Sequence, residues 1–170
     1  MNELIRRGMR CITEAGREII QEQVRIGGTA LPWDDARTYR ELMLAREIQA
    51  YRSNLDCQES VFFDRGIVDV LGYSNLIGLT DNLHLHKAAE LYRYNSQVFI
   101  APPWKEIYEN DTERKQTFQE AVATFEAMVL CYESAGYSLI ELPLASVESR
   151  ADFFLEFVRT LSARDIPFHQ

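Results

Sequence analysis

The constraint that bears hardest on this chain is a repeated switch of hydrophobic period. Brief apolar runs alternate with long stretches in which apolar side chains recur at helical spacing. The brief runs are residues 9–13, Val61-Phe62-Phe63, Val98-Phe99-Ile100-Ala101 and residues 137–142. The last three are closed by a turn former or a charged pair: Asp64-Arg65-Gly66, Pro102-Pro103 and Pro143. Short apolar runs bounded this way read as strands buried in a parallel sheet. The long stretches read as helices over residues 14–26, 35–53, 67–77, 81–92 and 113–134, with a last one marked by Phe154, Phe157, Val158 and Leu161. Gly8, Gly27-Gly28 and Gly136 stand where helices should stop. Asp34 is the candidate N-cap of the 35–53 helix, whose apolar face is read as Ala36, Tyr39, Leu42 and Met43. Residues 2–7 read as the tail of a further helix, with Arg6 and Arg7 in its last turn.

Strands separated by helices predict an α/β fold with a mostly parallel sheet covered on both faces. No repeat, low-complexity tract or long linker divides the chain, so residues 1–170 read as one domain. In such folds ligands sit at the carboxyl ends of the strands. The residues to inspect are therefore Glu14 and Arg17, Asp64 and Arg65, Pro102 to Trp104, and Pro143 to Ser146.

Composition narrows the function. The formal net charge of −8 argues against nucleic acid as the main partner, because the phosphate backbone calls for a basic surface. It leaves room for a nucleotide, whose phosphates need only a few local cations. The three cysteines, Cys11, Cys57 and Cys131, form no C-x-x-C pair, which favours buried thiols and a reducing, cytoplasmic setting. The apolar runs are too short for a membrane span and the first residues too polar for a signal peptide.

Asp64-Arg65 is the most informative pair. A carboxylate at the end of an apolar strand is placed to serve Mg²⁺, directly or through water, and the adjacent guanidinium to grip a phosphate. The plain alternative is a strand-end ion pair. Glu14 and Arg17 read either as a helical i, i+3 pair or as functional groups, Glu14 near the metal or a substrate hydroxyl and Arg17 near an anion. Arg114 and Lys115, within Asp111-Thr112-Glu113-Arg114-Lys115, read either as a solvated helix start or as part of a segment that closes over a transferred phosphate. His84-x-His86 lacks a third ligand, Gly27-Gly28 lacks the G-x-x-x-x-G-K-[ST] pattern, and no nucleophile elbow occurs.

Taken together, several segments resemble one family. They are Thr13 to Ile20, Ala30-Leu31-Pro32-Trp33, Val61 to Gly66, Tyr92-Arg93-Tyr94, Pro102 to Tyr108, Asp111 to Gln116, Gly136-Tyr137, Leu142-Pro143 and Ser146 to Phe153. The chain resembles bacterial AAA-type P-loop ATPases related to the nicotinamide-riboside-kinase domain of the NAD-regulatory protein, near thymidylate kinase in fold. The resemblance implies a three-layer α/β/α P-loop domain that binds ATP and Mg²⁺ and passes the γ-phosphate to an unknown small-molecule acceptor or to water. It implies that Asp64 serves the metal and Arg65 the phosphates or the substrate, and that Arg114 and Lys115 belong to a lid. It places Pro143 and Ser146 near the base, and Glu14 and Arg17 in the acceptor pocket. Family members open with a strand and a glycine-rich loop, whereas this chain opens inside the helix that follows. The expectation is that roughly 15–20 residues, a strand plus a P-loop, are lacking, and that the 170 residues by themselves are inactive. A non-catalytic binding or regulatory module that keeps the scaffold is the rival reading.

Overall fold

The computed structural model describes residues 1–108 and 117–164. It is rich in helix and carries four short strands, β1 (Arg10–Ile12), β2 (Val61–Phe63), β3 (Gln97–Ile100) and β4 (Ser138–Glu141). Seven helices surround them: α1 (Asn2–Arg6), α2 (Ala15–Ile26), α3 (Ala36–Ser53), α4 (Ile67–Leu76), α5 (Leu83–Leu91), α6 (Phe118–Ser134) and α7 (Val147–Arg164). A 3₁₀ turn spans Lys105–Ile107. Among the described residues no helix is long and apolar enough to cross a membrane.

The expected parallel pairing is present but divided. β1 pairs in parallel with β2, Cys11 opposite Phe62. β3 pairs in parallel with β4, Phe99 opposite Ile140. The single sheet read from the sequence is corrected to two separate two-stranded sheets, because β2 and β3 are not hydrogen-bonded to each other. One ring spans them instead: Phe154 of α7 packs against Phe62 at 4.9 Å and Phe99 at 4.3 Å between centroids. Each of the two facing strands keeps one edge without a ladder partner in the described structure.

The core lies around α4. Ile67, Val68, Val70 and Leu71 are buried there with Leu85, Ala88 and Ala89 of α5 and Cys131 and Tyr132 of α6. A helix apolar on nearly all sides must be covered on nearly all sides, and α3, α5 and α6 do so.

Two helix starts differ from expectation. The N-cap of α3 is Asp35, not Asp34: its carboxylate accepts the Thr38 N–H at 2.9 Å and the Thr38 hydroxyl at 2.6 Å. The α6 helix begins at Phe118, within the range expected to start at 113. Thr117 and Glu120 form a reciprocal capping box, with the Thr117 hydroxyl accepting the Glu120 N–H and the Glu120 carboxylate accepting the Thr117 N–H. Such a box satisfies two otherwise orphaned donors. Replacing Thr117 by Ala should cost about 1 kcal/mol, read as a lower urea midpoint with unchanged slope. An unchanged midpoint would show that α6 is held by packing alone.

The buried face of α3 also differs. Tyr39, Arg40, Leu44 and Glu47 are buried, while Ala36, Leu42 and Met43 are half-buried. Two of the four innermost positions are an arginine and a glutamate, so the face could not be read from apolar spacing.

Candidate active site

The strand ends converge as an α/β fold requires. β2 passes into Asp64, whose N–H extends the ladder to the Ile12 carbonyl at 2.8 Å. Arg65 follows with φ at 80°. A left-handed backbone is unfavourable for a residue with a side chain, and holding it there turns the chain sharply into α4. Gly66 then caps α4, with its N–H donating to the Asp69 carboxylate at 2.9 Å. A Cβ at Gly66 would stand 3.0 Å from the Tyr94 ring, so a larger residue there requires that ring to give way.

Asp69 organises this corner. Besides the Gly66 N–H it accepts the Tyr132 hydroxyl at 2.5 Å and Arg65 Nη1 at 3.2 Å. The charge of Asp69, with smaller contributions from Glu14 and Asp64, holds the Arg65 guanidinium more firmly protonated than usual. The Arg65 side chain is nonetheless about 40% exposed, so it is steadied by Asp69 while still reaching open space.

That space is a cavity of about 580 Å³, bordered by Asp64, Arg65 and Asp69 on the β2 side and by Val98 to Ile100 of β3 opposite. Pro102, Pro103 and Trp104 form another wall. Arg150 of α7 also borders it, and its Nε is buried without a hydrogen-bond partner. The volume lies in the range of small-ligand sites. A shallow apolar hollow of about 720 Å³ over α5, lined by residues including Leu83, Lys87 and Leu91, is larger but carries none of the strand-end groups.

Each residue singled out from sequence can now be placed. Asp64 and Arg65 border the cavity together. Glu14 is the N-cap of α2, just after β1, and its charge reaches Arg65. Arg17 lies in the first turn of the same helix. Ser146 is used locally, since its hydroxyl accepts the Ser149 N–H at 3.2 Å at the start of α7. The cavity is bordered by Leu142 and Val147 on either side of the Pro143–Ser146 loop. Arg114 and Lys115 fall outside the described residues. Sequence reasoning missed Asp69, Tyr132 and Arg150, which border the same cavity.

The donor set suits a metal brought by a nucleotide better than a metal held by protein alone. Among the described residues no group of three or more His, Cys, Asp or Glu is placed to hold an ion. Mg²⁺ at nucleotide sites commonly takes one or two carboxylates, with phosphate oxygens and water supplying the rest. Asp64 fits that part. Arg65 and Arg150 are the described cations bordering the same cavity, as a phosphate-bearing ligand requires.

A family model described as an AAA domain matches residues 1–150. No curated protein and no solved structure matches the chain.

Proposed function

The chain belongs to the AAA domain family of P-loop nucleotide-binding proteins, and on that premise we propose that it takes part in phosphoryl transfer from Mg²⁺·ATP, as a small-molecule kinase or an ATPase. The observation that carries the reading is the placement of Asp64, Arg65 and Arg150 around one cavity at the carboxyl end of β2. In this reading Asp64 holds Mg²⁺, which when bound neutralises charge on the β- and γ-phosphate oxygens. Arg65, steadied by Asp69, binds a phosphate oxygen through its planar fork. Trp104 and the two prolines beside it exclude water from one side. Catalysis of this kind is chiefly positioning and charge stabilisation.

The 170 residues contain no G-x-x-x-x-G-K-[ST] segment. The proposal therefore includes a glycine-rich cradle from outside them, seated on the edges that β2 and β3 leave without a ladder partner. Parallel strands on both sides of the gap suit a further parallel strand.

The test is Mg²⁺·ATP binding and turnover by protein expressed from its own gene with all in-frame upstream codons. Asp64→Asn should weaken Mg²⁺·ATP binding about tenfold, near 1.4 kcal/mol, and should weaken Mg²⁺-free ATP binding far less. Equal binding by the parent and the variant would sink the metal role of Asp64. Absence of Mg²⁺·ATP binding by the parent would leave the non-catalytic module as the better reading.

A further inference from the structure

The α5 helix carries apolar side chains that neither the core nor the proposed site uses. Leu83 is 85% exposed and Leu91 62% exposed. They stand at the two ends of a helix whose inner residues, Leu85, Ala88 and Ala89, are buried in the core. Leu83, Lys87 and Leu91 fall at i, i+4 and i+8, so they form one outward stripe. The stripe lines the hollow of about 720 Å³, together with His84 and Tyr92. None of these residues lines the cavity at Asp64. Single exposed leucines are ordinary, but two on one short stripe beside a hollow mark a surface that meets another.

The order of residues along the stripe says what that other surface is. It is symmetric about Lys87: Leu83 and Leu91 lie four residues to either side, and His84 and Glu90 lie three residues to either side. A two-fold interface is self-complementary, so a residue at one position meets its mirror position on the second copy. In an antiparallel pair of α5 helices centred on Lys87, Leu83 meets Leu91 of the second copy and His84 meets Glu90, each twice over. A parallel pair would set His84 on His84 and Glu90 on Glu90, which like charge disfavours. Lys87 sits on the axis against its own copy, and Glu90, 3.2 Å from Lys87 within one chain, brings the offsetting charge from each side.

Charge also favours a second copy over a strongly charged partner. The chain has a net charge of −8, so two copies repel overall. On this face the acids are already matched within the chain. Glu90 has Lys87, Glu41 has Arg40 and His84, and Asp81 has Arg37 and Arg40. A strongly acidic or basic partner would have to break these pairs, whereas two copies approach with the least repulsion here.

We propose that the outer face of α5 is a homodimer interface, with the two helices antiparallel across a two-fold axis at Lys87 and Leu83 of each copy seated against Leu91 of the other. The proposal stands independently of the phosphoryl-transfer reading. A helix of nine residues is about 14 Å long. The contact is therefore smaller than the roughly 1,000 Å² of a stable complex, and the dimer is weak and concentration-dependent.

The test is sedimentation equilibrium of protein expressed from its own gene, over about 10–500 μM. The parent should show a reversible monomer–dimer equilibrium. Leu83→Glu and Leu91→Glu, both at exposed positions, should each weaken it about tenfold or more and leave the thermal midpoint unchanged. Under mild oxidation Leu83→Cys should link to Leu91→Cys faster than either links to itself, above the background set by Cys11, Cys57 and Cys131. A parent that stays monomeric across the range would overturn the proposal and leave the face to a different partner. So would a dimer as strong in both glutamate variants as in the parent, which would place the interface elsewhere. Leu83→Cys linking to itself as fast as to Leu91→Cys would refute the antiparallel arrangement.

Discussion

Replacing Arg40 by Met should lower stability by about 3 kcal/mol, at the lower end of what breaking a buried ion pair costs. For a chain of this size that corresponds to a fall in Tm of roughly 6–12 °C. Arg40 is 1% exposed, and its guanidinium ties three elements together. Nη1 donates to Ser74 Oγ at 2.8 Å, Asp81 Oδ1 at 3.2 Å and Asn82 Oδ1 at 3.2 Å, while Nε donates to Glu41 Oε1 at 3.0 Å. Met has nearly the same volume, so the core is not emptied. What is lost is the donor set. Asp81 is about half exposed and can take water instead, so it adds little to the cost. Asn82 is 8% exposed and Ser74 fully buried. Asn82 Oδ1 then keeps a single donor, the Ser74 hydroxyl at 2.7 Å. An under-satisfied buried acceptor carries most of the penalty. Asp81→Asn should therefore cost less than about 1 kcal/mol, the scale of an exposed pair. Urea denaturation of the two variants separates the cases. Equal losses would mean that the ion pair to Asp81, rather than the buried network, is what holds α3 to α4 and α5.

How far the sequence reaches can be judged from these same elements. The strands were legible because Val61-Phe62-Phe63 and its counterparts are apolar and end in turn formers. Parallel pairing followed from the helices between them. The division into two sheets was not legible, since hydrogen bonding between β2 and β3 is a property of their separation and not of either sequence. Asp64 and Arg65 were singled out by their position after a strand, and both border the cavity. Asp69 was hidden because its task, accepting Gly66 N–H, Tyr132 Oη and Arg65 Nη1 at once, joins residues remote in sequence. Ser146 shows the opposite difficulty: a serine before a helix suits both a ligand and a cap, and here its hydroxyl caps α7. The α3 face was misread for a physical reason. Apolar periodicity assumes that inward positions are apolar, and this helix turns Arg40 and Glu47 inward. Arg40 is inward because a complete set of acceptors meets it. Glu47 is inward with no matching set of donors, which is why its removal should have the opposite effect.

Replacing Glu47 by Gln should stabilise the protein at pH 8 by about 3 kcal/mol, from 1.36 kcal/mol per pKa unit, and should change it little at pH 4.5. The sign follows from linkage. The carboxyl titrates at about 7 in the folded chain against 4.5 for an unperturbed glutamate, so between these values the folded state holds a proton that the unfolded state has released. Stability from this group is full below about pH 4.5, falls as pH rises towards 7, and is gone above it. Burial is the main cause, and Asp69, Glu14 and Asp64 add to it. Gln keeps the shape and cannot ionise, so it escapes the loss. Urea midpoints of parent and variant at pH 4.5, 6 and 8 should diverge progressively in favour of the variant. A constant difference across that range would place the Glu47 carboxyl in water rather than in the protein interior.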